Sequence, residues 1–428
     1  MLTYDLDRMT EARKRAIIGR EGVDISGAMI RAKPVVDDVR LRGDRALRMY
    51  ARRFDSFRGG ALSVLKSDIR SARGKIPAGL LRAMVSCKER IEAYHRRQKI
   101  EPFEFVDSCG RLGQKVVPLD RVGVYVPGGT ADYVSTVLMC CIPAKIAGVE
   151  EISVCTPGRN GRVPESILAA ADVCGVDEVH PVGGAHAISA MAYGTGSIRR
   201  VRKIVGPGGA YVTAAKLLVR NDCEIDFLAG PSEVLVIADS RASPELLASD
   251  MLAQLEHDPL ARALLVTDSE AVLRKTKDML RRQTASAERR AIAAKASIKG
   301  AVFLLASSMD EAVRFSNEYA PEHLLIDVTN PKRVMRGVRN AGSVFLGRYS
   351  SVAFGDYCSG TNHVLPTKGA AAMKSSLSVY DFMKVIPYQE ISRQGAAELS
   401  EVVGVMARSE GLPAHADAAA LRARKVKR

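Results

Sequence analysis

Tryptophan is absent from this chain of 428 residues, and aromatic residues make up only 5% of it. So few rings leave little to build the stacking platforms that single-stranded nucleic acids require. No run of ~18 apolar residues occurs, so no membrane-spanning helix is expected. The opening, Met1-Leu2-Thr3-Tyr4-Asp5-Leu6-Asp7, has no basic lead followed by an apolar core. No signal peptide is read there, and the cytoplasm is the expected location. None of the 8 cysteines shows C-x-x-C spacing, and Cys140-Cys141 sit side by side in an apolar run. That excludes a zinc ribbon or disulfide framework and leaves small buried hydrophobes in a reducing compartment. Also missing is G-x-G-x-x-G, the ordinary dinucleotide fingerprint.

What is present is a basic chain, with a formal charge of +15 and a pI of about 9.5. The basic residues are spread through amphipathic stretches, Arg40 to Arg53 and Arg82 to Arg97, and a short tail from Arg422 to Arg428. Without interleaved aromatics this reads as a solvated basic face that attracts anionic cofactors. No nucleic-acid partner is expected. A basic nucleic-acid binder on a degenerate enzyme fold is the remote alternative, recognisable by a steep salt dependence. The length accommodates two or three domains.

Residues 1 to about 100 read as mostly helical, with apolar positions recurring near Val35, Val36, Val39 and Leu47 and again along Leu80, Leu81, Met84, Val85 and Ile91. Leu62-Ser63-Val64-Leu65 suggests a short strand, and His95, among Arg and Lys, an exposed histidine. Phe103 to Val106 and Gln114 to Leu119, with Cys109-Gly110 between, suggest a hairpin. At Val122 strands begin to alternate with helices of about ten residues, which means β-α-β units and a mainly parallel sheet. The strands are Val122 to Val126, Ile152 to Cys155, Val179 to Val182 and Arg202 to Val205. The helices are Val134 to Ala147, Pro164 to Val173, Ala185 to Tyr193 and Tyr211 to Leu218. A second α/β layer continues through Val234 to Ile237, Ala263 to Val266, Val302 to Leu305, Leu324 to Asp327 and Ser343 to Leu346, sharing its core with the N-terminal helices. From about Ser378 the strand signals weaken and the chain ends in an amphipathic helix.

Three glycine-rich turns follow strands: Pro127-Gly128-Gly129, Gly183-Gly184 and Gly206-Pro207-Gly208-Gly209. Parallel sheets bind ligands at strand carboxyl ends, and glycine there permits close backbone approach to phosphate. The alternative is a set of ordinary tight turns. Ser243 and Pro244 open a helix that Pro259 must end, placing Gln254 and His257 i, i+3 on one face. They form half of a metal site or a polar outer face. Glu322-His323 sets a carboxylate beside an imidazole before an apolar strand, suited to successive deprotonations or to a simple ion pair. Gly355 to His363 is dense in polar side chains, with Asp356 able to ligate a metal or orient a histidine and His363 able to hold substrate; the bland reading is an Asx-rich turn. Glu410 and His415 add another acid and imidazole. Gln254, His257, Asp356 and His415 would supply a mixed O and N set suited to zinc as a Lewis acid. A zinc hydrolase, with Glu322 activating water, uses the same set without a dinucleotide.

These stretches, in order, resemble the histidinol dehydrogenase family. The match runs through Val122 to Gly129, Ser135 to Met139, Gly183-Gly184-Ala185, Lys203 to Gly208 and Ala229 to Val234. It continues through the Gln254/His257 helix, Ala320 to Leu324, Gly355-Asp356-Tyr357, Asn362 to Thr367 and Glu410 to His415. The resemblance implies an α/β fold of two incomplete Rossmann-like, doubly wound domains with N- and C-terminal extensions exchanged in a homodimer. The chain would divide into an extension (1–21), a first domain (22–121 with 232–377), a second (122–231) and an arm (378–428). It implies NAD-dependent, four-electron oxidation of L-histidinol to L-histidine through L-histidinal, the last steps of histidine biosynthesis. One zinc per subunit would be held by Gln254, His257, Asp356 and His415, with the last ligand and Glu410 donated across the dimer. His323 would be the general base and Glu322 the activator of water. Substrate contacts would be Ser232, Tyr357, His363 and Glu410 together with the zinc ligands and His323. Tyr125, His186 and Gly209 occupy the family's NAD-contact positions; the family has Gln where this chain has His186 and Asn where it has Gly209. NAD is therefore expected to bind with altered contacts. A related zinc and NAD enzyme acting on another small polar alcohol is the near alternative.

Overall fold

The computed structural model describes residues 1–20, 25–57, 59–128, 131–159, 161–227 and 230–424. Gly129 of the first glycine turn, Ala229 and the tail from 425 to 428 lie outside the described residues, as does the expected boundary at Gly22. Fourteen strands are described. The first four are β1 (Leu2–Asp5), β2 (Phe103–Val106), β3 (Gly110–Pro118) and β4 (Arg121–Tyr125). Next come β5 (Glu151–Cys155), β6 (Glu178–His180), β7 (Lys203–Val205) and β8 (Glu224–Ile225). Then follow β9 (Glu233–Ala238), β10 (Arg262–Thr267), β11 (Ala301–Leu305), β12 (His323–Asp327), β13 (Ser343–Leu346) and β14 (Met383–Ile391).

The contacts divide the chain into two units: residues 1–98 with 120–382, and residues 99–119 with 383–428. The larger unit holds two parallel sheets. One runs β6-β5-β4-β7-β8 and the other β1-β11-β10-β9-β12-β13. Setting β1 aside, both have the same order: the first strand is central, the next two lie on one side and the last two on the other. Each is thus wound both ways from its first strand, as right-handed crossovers allow. Their strands are buried on both faces, which explains apolar runs such as Val234 to Ala238 that do not alternate.

The alternation read from the sequence corresponds to these strands and helices within a residue or two, and Val134–Ala147 is a helix over the expected span. Several expectations were wrong. The N-terminus opens with β1, which pairs in parallel with β11. Leu62 to Leu65 is not a strand, although the Val64 amide donates to the Val179 carbonyl and the Leu62 carbonyl accepts from His180 Nδ1, both at 2.8 Å. The helices Ile25–Arg42 and Asp44–Phe54 pack on Gly184–Tyr193 and Ala210–Val219, beside the sheet that begins at β4 rather than the later one. Ala28, Ala32, Val36 and Val39 form the buried stripe responsible, at steps of four, four and three residues. His95 is fully buried; its Nδ1–H donates to the Ile91 carbonyl at 2.8 Å, and Met84, Ile91 and His95 are the buried residues of their helix.

In the smaller unit, β2 and β3 form the expected hairpin, and β14 adds on the far side of β3, antiparallel along nine residues. The 99–119 segment therefore belongs with 383–428, not with the 22–121 block. Two helices, Arg393–Ser409 and Pro413–Arg424, pack on each other in this unit. Gly395 sits where a Cβ would lie 1.9 Å from the Cys109 carbonyl oxygen, so no other residue fits that turn. Phe103, Phe105, Ile386, Tyr388, Val402 and Met406 are exposed in the single chain. Among the described residues no helix is long and apolar enough to cross a membrane.

Candidate active site

The candidate site gathers at the amino ends of β9 and β12. Their register pairs His323 with Val234, so Glu322 and Glu233 stand at the edge of the ladder. Glu322, one residue outside it, reaches back with its carboxylate: the Glu233 amide donates to Glu322 Oε2 at 2.7 Å. The Glu233 carbonyl accepts from His323 Nδ1 at 3.1 Å. A carbonyl can only accept, so Nδ1 carries a proton and a neutral His323 keeps its lone pair on Nε2. That nitrogen is buried without an aligned hydrogen-bond partner and lies 3.4 Å from Asp356 Oδ1.

The helix Pro244–Leu255 returns from the carboxyl end of β9, which brings its own end to the same edge of the sheet. Ser243 is its N-cap residue by position and Pro244 opens it as expected, but the helix stops at Leu255, before His257. The His257 amide still donates to the Gln254 carbonyl at 3.3 Å, a tightened turn that keeps the two residues adjacent. Gln254 is buried, whereas His257 is exposed. Asp356 and Tyr357 end the short helix Val352–Tyr357; Asp356 is half-buried and Tyr357 exposed. His363 Nδ1 donates to the Asp356 carbonyl at 2.6 Å. Buried Asn362 pins this loop by donating to the Met139 carbonyl at 2.7 Å. Ser232, half-buried, precedes Glu233, and its carbonyl accepts from the Arg262 amide at 3.1 Å.

Burial pushes the Glu322 carboxyl up to about 8, with His323 opposing. Burial works against charge on His323, but Glu322 and Asp356 outweigh it and bring the imidazole up to about 9. Loss of water lowers His257 and His363. Burial alone would raise Asp356; His323, then His363 and His257, hold it below its usual value. A buried acid with raised pKa beside an imidazole tied to two carboxylates is equipped to pass protons in both directions.

Glu410 and His415 belong to the smaller unit; Glu410 caps the end of its first helix, His415 lies in the first turn of the second, and both are exposed. Among the described residues no group of three or more His, Cys, Asp and Glu lies together in a metal-holding arrangement. The larger unit offers Gln254, His257 and Asp356, only two of them from those residue types. A carboxamide oxygen, an imidazole nitrogen and a carboxylate oxygen nevertheless suit zinc in donor chemistry.

The carboxyl ends of β4, β5 and β6 border a cavity of about 1010 Å³ lined by Tyr125, Pro157, Gly184 and His186, with Asp55, Arg31 and Arg159 around it. Such a volume is at the top of the ~300–1,000 Å³ range of small-molecule sites. The Gly184 amide donates to Tyr125 Oη at 3.1 Å, and burial pushes that phenol up to about 12. His186 is buried, its Nε2 2.7 Å from Asp55 Oδ2, which also accepts from the Gly183 amide at 2.8 Å. Gly209 caps the helix Ala210–Val219, and a Cβ there would meet nothing within 4 Å. Buried Lys216 donates to Asp226 and to the Gly206 carbonyl, both at 2.6 Å, and so anchors the third glycine turn.

Sequence reasoning missed Glu233, whose main chain meets Glu322 and His323; Arg20 and Tyr319, which hold its carboxylate; and Asp55, which holds His186. Glu233 left one signal, a carboxylate heading the fully apolar run Val234 to Ala238, since a buried charge demands a partner.

The chain matches the histidinol dehydrogenase family over residues 19–423. It is 46% identical to a histidinol dehydrogenase of Methanosarcina mazei over 420 residues, which are 97% of this chain and 96% of the relative. It is 44% identical to that of Listeria innocua over 391 residues, 91% of this chain and 92% of the relative. The crystal structure of histidinol dehydrogenase from Elizabethkingia anophelis superposes with a TM-score of 0.94 at 34% identity, covering 100% of this chain and 99% of that one. With two parallel sheets shared at that likeness and relatives matched over nearly its whole length, the chain belongs to the histidinol dehydrogenase family, a family of oxidoreductases.

Proposed function

We propose that the chain is an L-histidinol dehydrogenase that oxidises L-histidinol to L-histidine through L-histidinal, using two NAD and one water, as the last steps of histidine biosynthesis in the cytoplasm. The observation that carries this reading is the fixed tautomer of His323: Nδ1–H on the Glu233 carbonyl and Nε2 facing Asp356, beside the buried Glu322. Once deprotonated, which its raised pKa places towards alkaline pH, His323 Nε2 takes the alcohol proton, gives it up to solvent, and later takes that of the aldehyde hydrate. Glu322 accepts a proton from the water that adds to the aldehyde; its raised pKa makes the carboxylate a stronger base than an exposed one. Gln254, His257 and Asp356, with His415 donated by the partner subunit, would hold one zinc ion per subunit. Zinc supplies a Lewis acid that orients the amino alcohol, and nicotinamide supplies the two-electron acceptor. Ser232, Tyr357, His363 and Glu410 position the substrate, Glu410 from the partner. The apolar side chains exposed on the smaller unit support an exchanged homodimer.

Tyr125, His186 and Gly209 are assigned to NAD. Tyr125 and His186 line the large cavity, and Gly209 leaves open space at the head of its helix. The test is to incubate the purified protein with zinc, L-histidinol and NAD and to quantify NADH and histidine together. Two NADH per histidine is the expected ratio. NADH with accumulating aldehyde, or no NADH while L-histidinol binds, overturns the four-electron assignment.

A further inference from the structure

The reacting pair is held by the main chain of one residue, Glu233, and that residue's side chain is itself held in an unusual way. Its carboxylate is buried and receives three hydrogen bonds. Arg20 grips it with a two-pronged fork, Nε to Oε2 at 2.6 Å and Nη2 to Oε1 at 2.8 Å, and Tyr319 Oη donates to Oε2 at 2.9 Å. The guanidinium lies over the Tyr319 ring, 3.6 Å from its centre. Arg20 Nη2 also donates to the Tyr319 carbonyl at 2.6 Å, at the end of the helix Met309–Tyr319. From there the chain turns through Ala320, at φ +46, directly into Pro321, Glu322 and His323. Arg20 adopts a positive φ of 47°. Two residues without glycine's freedom thus sit in the left-handed region on either side of the contact, a conformation that persists only where surrounding contacts enforce it.

A buried ion pair is a poor source of net stability, because desolvating both charges offsets their attraction. An apolar pair of equal volume would hold the sheet together as well. A fork with planar, directional donors instead fixes a carboxylate in one orientation. Here the carboxylate belongs to the residue whose N–H holds Glu322 and whose carbonyl holds His323.

We propose that the Arg20–Glu233–Tyr319 cluster positions the reacting pair: it locks the Glu233 peptide so that Glu322 and His323 are presented in one geometry and His323 in one tautomer. This rests on the assignment of Glu322 and His323 given above. Arg20, Glu233 and Tyr319 are positioning residues and touch no substrate.

The experiment follows the His323 Nδ1 proton by NMR in full-length protein labelled with ¹⁵N-histidine, its signal assigned by loss in His323→Gln, alongside steady-state kinetics. Glu233→Gln keeps the shape of the side chain and removes its charge. Tyr319→Phe keeps the ring and removes one of three bonds. In Glu233→Gln the proton is expected to exchange with water at least about tenfold faster and kcat to fall about tenfold or more, with KM for the alcohol within about twofold. Tyr319→Phe is expected to move exchange and kcat in the same direction by about threefold, with an unchanged melting temperature. Folded variants with wild-type exchange and wild-type kcat overturn the proposal, and Tyr319→Phe alone decides it where Glu233→Gln does not fold. An equal fall in all readouts with a lowered melting temperature assigns a structural role instead and also overturns it. A wild-type protein that does not oxidise L-histidinol but whose Nδ1 proton responds to these variants refutes the functional reading and leaves the positioning role standing.

Discussion

Lys216 and Asp226 form a buried pair whose removal has a calculable effect. Their side chains are 3% and 1% exposed. Lys216 donates to Asp226 Oδ1 and to the Gly206 carbonyl, each at 2.6 Å, while Asp226 Oδ2 accepts from the Gly206 amide at 2.8 Å. The pair therefore clasps both polar groups of Gly206. That glycine has φ +111, and a Cβ on it would lie 2.1 Å from the Tyr125 carbonyl, so the turn has one available shape. Lys216→Met removes two charge-assisted bonds and leaves a carboxylate in the interior. At ~1.5–3 kcal/mol per bond, set against the ammonium desolvation no longer required, a loss of about 3–5 kcal/mol is expected. Asp226→Leu should cost a similar amount for the mirror reason. The double variant removes both charges and orphans only the Gly206 peptide, so its loss should fall short of the sum by about 2 kcal/mol or more. Without tryptophan, urea unfolding is best followed by far-UV circular dichroism. Single variants each costing under ~1 kcal/mol, or costs that simply add, would refute the claim that these two charges depend on each other.

Two further outcomes follow. Glu178 is held near pKa 2 by His180, Arg199 and Arg121, against a usual value of 4.5. Because the folded pKa is depressed, the stabilisation is complete above about pH 4.5 and is lost as pH falls towards 2. With the side chain 25% exposed, screening trims the full shift to about 2 kcal/mol. Glu178→Gln should therefore be about 2 kcal/mol less stable at pH 7, with the gap from wild type closing between about pH 4.5 and 2 in acid titrations of unfolding. Gly209→Asn places a cap at the head of Ala210–Val219 in open space at φ −68, so it should stabilise the protein by a few tenths of a kcal/mol and tighten NAD binding by calorimetry. A lowered melting temperature would show that the space is not open.

Much of the fold was legible because buried parallel strands are short apolar runs punctuated by glycine and proline, and the crossover helices between them have their own period. The pairs Gln254/His257 and Glu322/His323 were legible for the same local reason. What failed was long-range. β1 gains its identity only from β11, about 300 positions away, and β14 only from β3. Arg20 lies 213 positions from Glu233, and no spacing rule links them. His95 was misread through its basic neighbours, although its i+4 spacing from Ile91 placed it on the buried face.

The two parallel sheets share one strand order but are used at opposite ends. At the carboxyl ends of β4, β5 and β6, strands give way to glycine turns and helix starts around the large cavity, where the Gly183 and Gly184 amides donate to Asp55 and Tyr125. At the amino ends of β9 and β12 the opposite resource is available. A strand's first residue still has main-chain groups that its neighbour's ladder does not fill, and at Glu233 both go to the side chains of Glu322 and His323. A peptide at the edge of a sheet is rigid, because the strand behind it is buried and paired on both sides. It can therefore fix a histidine tautomer more firmly than a loop could. The return helix Pro244–Leu255 ends at the same edge, which is how His257 comes within electrostatic reach of His323 and Asp356 without any sequence nearness to them. A site built this way depends on strand register. A one-residue slip of β12 against β9 would turn His323 to the other face of the sheet and leave the Glu233 peptide holding neither group.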